Sequence, residues 1–203
     1  MNWTSLYFKT KNLKIFILGT GEVATRRANK FLDKGAKVIL AGDEISNDLK
    51  TKGAILDSID NVDKLVKWAD IVIVASSDEK LANYVGKLSK GKLINRADFP
   101  QKGNLIVPTS FEIGGIEISI FTNGKSPLMA RQLRKKIQNI ITEEDILEIE
   151  LQDYSRILLK DKISNQKERK EYLYQIFKDE NIKDFIKNRE IDNAKIYIKK
   201  LID

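Results

Sequence analysis

The sequence predicts an α/β fold: a parallel sheet wound by helices over residues 1–108, a β-hairpin and helix over 109–142, and a small all-helical domain over 143–203. Three observations carry this. Short apolar runs alternate with helix-forming stretches through the first half, the pattern of strands buried on both faces. All 11 glycines and all 3 prolines lie between Gly19 and Pro127, so turn-forming residues stop there. Beyond Glu143, apolar residues recur at helical spacing, as at Ile146, Ile149, Tyr154, Ile157 and Leu158.

Each element follows in order. Lys14–Leu18 (KIFIL) is a short apolar run ended by Gly19 and predicts a buried parallel strand. Glu22–Lys34 predicts a helix that stops at Gly35, a residue suited to the left-handed turn after a helix. Lys37–Ala41 is the second strand and Ala54–Asp57 a weak one. A helix over Ile59–Trp68 precedes the apolar strand Ile71–Ala75. Asp78–Ser89 opens on acids, which favour a helix start, and ends near Gly91. Leu93–Asn95 predicts a last short strand. Repeated strand-helix-strand order implies right-handed crossovers in one sheet. Leu105–Phe111 and Ile116–Phe121, joined through Gly114-Gly115, predict an antiparallel hairpin. Pro127 suits the first turn of a helix running to about Ile140, and three or four helices follow from Glu143.

Composition narrows the chemistry. The chain has 203 residues, 42% of them hydrophobic, and no apolar run that approaches the roughly 18–20 residues of a membrane span. Residues 1–14 contain no apolar stretch ending in a cleavage site, so no signal peptide and a cytoplasmic location are expected. Cysteine is absent, which excludes disulfides, thiolate metal sites and cysteine nucleophiles. Histidine is absent too, which excludes Ser-His-Asp triads and imidazole acid–base catalysis, and no metal site is expected. Proton transfer must use carboxylates, Lys, Tyr, substrate groups or water. The net charge is +7, but residues 145–203 hold 13 basic and 13 acidic side chains, so the excess lies in residues 1–144. Lys125, Arg131, Arg134, Lys135 and Lys136 form a run with no acid between Phe121 and Ile141. On charge alone the run reads as a solvated helix face or as a site for an anionic partner. No nucleic-acid motif accompanies it, and neither nucleic acid nor a membrane is expected as a partner.

The most specific local pattern is Gly19-Thr20-Gly21-Glu22-Val23-Ala24, a G-x-G-x-x-A stretch between a strand and a helix. Gly19 makes the tight turn, Gly21 lets the backbone approach a pyrophosphate, and Ala24 lets helix and strand pack closely. The pyrophosphate would meet free N–H groups and the positive end of the helix dipole. Asp43 stands 19 residues beyond Ala24, at the end of the second strand, with Glu44 beside it. A carboxylate there accepts hydrogen bonds from ribose hydroxyls and repels a 2′-phosphate, so NAD is expected over NADP. The alternative is a glycine-rich turn with no ligand. Ser76 and Asn95 follow or end strands, and each reads equally as a cleft residue or as strand-end packing.

These blocks together resemble a family. The glycine loop, Asn95-Arg96-Ala97-Asp98, the IVIVASSDEKLAN strand and helix, and Ser126-Pro127 opening SPLMARQLRKKI are similar to precorrin-2 dehydrogenases and to the dehydrogenase/ferrochelatase module of siroheme synthases. The resemblance covers residues from about 5 to 140. It implies a Rossmann-type NAD-binding domain, a dimerisation and substrate-binding region, and a helical domain. It further implies a homodimer that oxidises the tetrapyrrole precorrin-2 to sirohydrochlorin with NAD, and in some members inserts ferrous iron into the product. Carried over by motif, Glu22, Val23, Asp43 and Glu44 fall at NAD-contacting positions. Asp98 falls on the aspartate implicated in catalysis. Read without the resemblance, Asp98 before Phe99-Pro100 is a turn residue. Ser126 is expected as a helix N-cap beside an anion site. Arg131 and Arg134 are expected to meet the carboxylates of precorrin-2. The chain departs from the family pattern at Arg96-Ala97, where apolar residues are usual, and at Asn123, where glycine is usual. A nucleotide-sensing module without catalysis is the competing reading; it leaves the basic run and the helical tail unexplained.

Overall fold

The structure, a computed structural model, describes residues 3–202. Strands β1 (Lys14–Leu18), β2 (Lys37–Ala41), β3 (Ile55–Asp57), β4 (Ile71–Val74) and β5 (Leu93–Arg96) form a parallel sheet in the order β3-β2-β1-β4-β5. The chain moves outward from β1 to β3, then returns to the other side of β1 with β4. That reversal places the topological switch between β1 and β4, where ligands bind in open α/β sheets. The strands are apolar on both faces because helices cover both. Ile15, Ile17, Val38, Leu40, Ile71 and Ile73 pack with Ala24, Ala28 and Phe31 of α1 (Glu22–Leu32). Phe16, Leu18, Val72 and Val74 pack on the other face with Leu65 and Val66 of α3 (Val62–Trp68) and Ala82 and Val85 of α4 (Glu79–Leu88).

Four details differ from the sequence reading. The first helix ends at Leu32, and the chain turns through Gly35 at φ +78°, with Ala36 N donating to Phe31 O. A short helix α2 (Asn47–Thr51) follows β2; Ser46 caps it, its hydroxyl accepting from Leu49 N at 3.3 Å. The expected helix from Ile59 opens as one 3-10 turn before α3. The first hairpin strand begins not at Leu105 but at Thr109. Asn104 Oδ1 accepts from Ile94 N at 2.7 Å and Leu105 N donates to Ile94 O, so residues 104–105 fringe β5, and Val107 is buried in the core of the sheet.

The chain divides into two compact units, the first ending at Val107 and the second beginning at Pro108. The second unit opens with β6 (Thr109–Ile113) and β7 (Ile116–Ile120), an antiparallel pair in which Phe111 faces Ile118. Helix α5 (Pro127–Ile140) follows. Helices α6 (Glu143–Lys162), α7 (Gln166–Lys178), α8 (Glu180–Lys187) and α9 (Ile191–Ile202) then share a core of Leu151, Leu159, Ile176, Ile182, Ile186, Ala194 and Ile198. Only two residues separate α5 from α6. The break is sharp because Thr142 and Asp145 form a reciprocal capping box, Asp145 Oδ2 accepting from Thr142 N at 2.8 Å. This parallel sheet, separate hairpin and helical tail form the α/β architecture expected from the sequence.

Candidate active site

The glycine loop connects β1 to α1. Gly19 has φ +107°, and a Cβ there would collide with the carbonyl oxygen of Ala75 on the neighbouring strand. Its N–H donates to Ala41 O at 2.8 Å, which fixes the turn across β2. Gly21 is the N-cap of α1 and supplies no side chain to its first turn. A Cβ on Gly21 would meet nothing within 4 Å, so the space above the loop is open. Gly42 comes equally close to the loop: a Cβ there would lie 2.7 Å from Thr20 Cγ2. Ala24 is fully buried against the sheet, which only a small residue permits. Backbone donors at an uncapped helix start, facing open space, form a cradle that fits a dinucleotide pyrophosphate.

The flanking residues divide by exposure. Glu22 and Val23 are exposed on the first turn of α1, with Glu22 paired to Arg26 at 3.6 Å. Asp43 and Glu44 are exposed in the bend after β2 rather than in a helix. Ser76 is half-buried after β4, and its hydroxyl accepts from Asp78 N at 3.1 Å. Asn95 is buried, 3% exposed; its amide donates to Leu105 O at 2.9 Å, and its Oδ1 is buried without a partner.

Asp98 lies just past β5, at the carboxyl edge of the sheet. Its carboxylate receives a two-point ion pair from Arg96: Nε to Oδ1 at 2.8 Å and Nη2 to Oδ2 at 2.5 Å. The Arg96 side chain is 3% exposed and that of Asp98 19%. Burial pushes the Asp98 carboxyl up, but the hydrogen bonds and charge of Arg96 outweigh it and hold the group below its ordinary range. The hydrogen bonds to Asp98 in turn push the Arg96 guanidinium up against the effect of burial. Sequence reasoning noted Arg96 only as a departure from the family pattern. A usable signal was present: residues two apart on an extended strand point to one face, so a charge ending a buried strand two places before Asp98 would meet it.

The remaining expected residues belong to the second unit. Ser126 caps α5, its hydroxyl accepting from Met129 N at 3.1 Å. Arg131 and Arg134 are exposed one turn apart, and the Arg134 guanidinium lies 5.7 Å from the centre of the Phe111 ring. Among the described residues no group of three or more acidic side chains is placed to hold a metal ion.

Comparison with known proteins adds the family. A sequence family described as "Putative NAD(P)-binding" matches residues 6–109. A precorrin-2 dehydrogenase of Methanosarcina barkeri is 31% identical over 194 residues, covering 89% of this chain and 85% of the relative. The chain belongs to the precorrin-2 dehydrogenase family. A Methanocaldococcus jannaschii member, named "Putative precorrin-2 dehydrogenase", is 30% identical over 86% of this chain and 89% of its own. A siroheme synthase of Psychrobacter cryohalolentis is 29% identical over 70% of this chain but only 28% of its own length, so this chain spans one part of that larger protein. The solved structure of SirC, a precorrin-2 dehydrogenase, matches with a TM-score of 0.77 over 98% of this chain and 100% of its own, at 21% identity; it shares the fold. The fold shared with SirC spans the sheet, the hairpin and the helical tail.

Proposed function

We infer that the protein is an NAD-dependent precorrin-2 dehydrogenase, converting precorrin-2 to sirohydrochlorin in siroheme synthesis. The observation that carries this is the match to precorrin-2 dehydrogenases along 85–89% of both chains, with the glycine cradle built as a dinucleotide site requires. NAD supplies the acceptor for the hydride. Removal of a hydride and a proton from the macrocycle balances the oxidation.

The chain's own residues bind, orient and take the proton. Gly19, Gly21 and Ala24 shape the cradle, with Glu22, Val23 and Ser76 around it. Asp43 and Glu44 take the ribose hydroxyls and repel a 2′-phosphate, which supports NAD over NADP. Asp98 is the catalytic carboxylate. A carboxylate held below its ordinary range is a weak base at rest. Hydride departure leaves the macrocycle positive, which draws Asp98 to it and acidifies the proton it must accept. Arg131 and Arg134, with the helix start at Ser126, bind substrate carboxylates. Asn95 offers the oxygen that no protein donor satisfies.

The proposal also includes a homodimer, supported by exposed apolar residues on α5, with Leu128 65% and Ile140 72% exposed. It includes a functional division into residues 1–108, 109–142 and 143–203. It places the protein in the cytoplasm, where a chain without cysteine loses nothing to reducing conditions. No helix among the described residues is long and apolar enough to cross a membrane. The test is incubation with precorrin-2 and either NAD or NADP, following reduced nicotinamide and the sirohydrochlorin spectrum together. Both signals should rise with NAD and lag with NADP; no reduction of either cofactor would sink the assignment.

A further inference from the structure

The Asp98 carboxylate belongs to a short segment between β5 and a 3-10 turn at Pro100–Lys102, where the backbone N–H groups of Asp98 and Phe99 hydrogen-bond it alongside Arg96. Its Arg96 partner sits in a slot shaped for a guanidinium. Gly86 on α4 leaves room: a Cβ there would lie 2.8 Å from Arg96 Nη1. Gly103 does the same at the backbone, where a Cβ would lie 3.0 Å from Arg96 N. Asn83 on α4 accepts from Arg96 Nη2 at 3.3 Å and from Lys102 Nζ at 3.1 Å, bracing the outer side of the guanidinium. A buried arginine costs several kcal/mol in desolvation unless it is fully paired, and here two of its donors go to one carboxylate.

We propose that Arg96 is a positioning residue, holding the Asp98 carboxylate in one orientation at the carboxyl edge of the sheet. The proposal rests on the catalytic reading of Asp98. Arg96 does not touch the reacting atoms; its planar fork meets both carboxylate oxygens, which a flexible apolar side chain cannot do and a lysine does at a single point. An orientation error in a catalytic group lowers turnover and leaves substrate affinity nearly unchanged.

A double-mutant cycle with Arg96→Met and Asp98→Asn tests this, reading kcat and KM for precorrin-2 oxidation together with NAD affinity. Arg96→Met should lower kcat about tenfold when Asp98 is present and less than about twofold in the Asp98→Asn background, with KM and NAD affinity unchanged. Arg96→Lys should recover part of the loss. An equal loss in both backgrounds, or none in either, overturns the positioning role. Asp98→Asn turning over at the wild-type rate would be a separate result: it removes the catalytic reading itself, and with it any role of Arg96 through Asp98. If Arg96→Met fails to fold, the same cycle runs on Arg96→Lys, where a loss of about threefold confined to the Asp98 background is expected and an equal loss in both backgrounds overturns the role.

Discussion

At the residue scale, two glycines of one motif do different work, and substitution separates them. Gly19 is needed by the fold, because a Cβ would strike the Ala75 carbonyl and φ is +107°. Gly21 is needed by the ligand, because a Cβ would enter open space at an ordinary φ of −72°. Gly19→Ala should therefore lower the melting temperature and NAD affinity together. Gly21→Ala should change unfolding free energy by no more than about 1 kcal/mol while weakening NAD binding at least tenfold by calorimetry. Equal stability loss in both variants would contradict the cradle. Asp98 carries a second expectation. Asp98→Asn should lower kcat by about 10²–10⁴. Because Arg96 holds the Asp98 carboxyl below its ordinary range, the group stays ionised as pH falls through the range in which an ordinary carboxyl protonates. Any acid limb in the kcat profile that Asp98 controls should move to higher pH in Arg96→Met; a limb that stays in place would contradict the ion pair. The glycine motif was legible because its constraints are local. The Arg96–Asp98 fork was not, because the sequence predicts the last strand over Leu93–Asn95, which leaves Arg96 outside it, whereas β5 runs through Arg96.

At the element scale, the strands were legible where apolar runs met glycine, as at Lys14–Leu18, whose bounds match the sequence reading. The short α2 was not, since five residues give no periodicity and its signal is a single serine cap. The hairpin start was displaced because Val107 is apolar for the core of the sheet, not for the hairpin; alternation cannot say which core an apolar residue serves. Asn123 at φ +54° and Gly124 at +73° form the left-handed turn before α5, a conformation that asparagine tolerates. Arg131 and Arg134 lie on one face of α5, so Arg131→Ala with Arg134→Ala should weaken precorrin-2 binding by about 1–3 kcal/mol per contact and leave NAD affinity alone. An unchanged KM for precorrin-2 in the double variant would return α5 to a solvated face. Arg134 also covers the Phe111 ring, so its removal should cost a little stability that Arg131 does not.

At the scale of the whole molecule, the proposed homodimer rests on exposed apolar residues of α5 such as Leu128 and Ile140. Light scattering at micromolar concentration should give twice the 23.2 kDa chain mass, and Leu128→Glu with Ile140→Lys should return it to the monomer. A monomer in the wild type would contradict the dimer. The absence of histidine and cysteine is also a property of the whole chain, and it leaves proton transfer to carboxylates, Lys, Tyr, substrate groups or water. The central claim is direct passage of a hydride from precorrin-2 to NAD. It is tested by single-turnover reaction of precorrin-2 carrying deuterium at the carbon that is oxidised, with mass analysis of the nicotinamide product. Deuterium recovered in the reduced nicotinamide, one atom per sirohydrochlorin formed, is the predicted result; reduced nicotinamide without label, or sirohydrochlorin formed with no reduced nicotinamide, would contradict it.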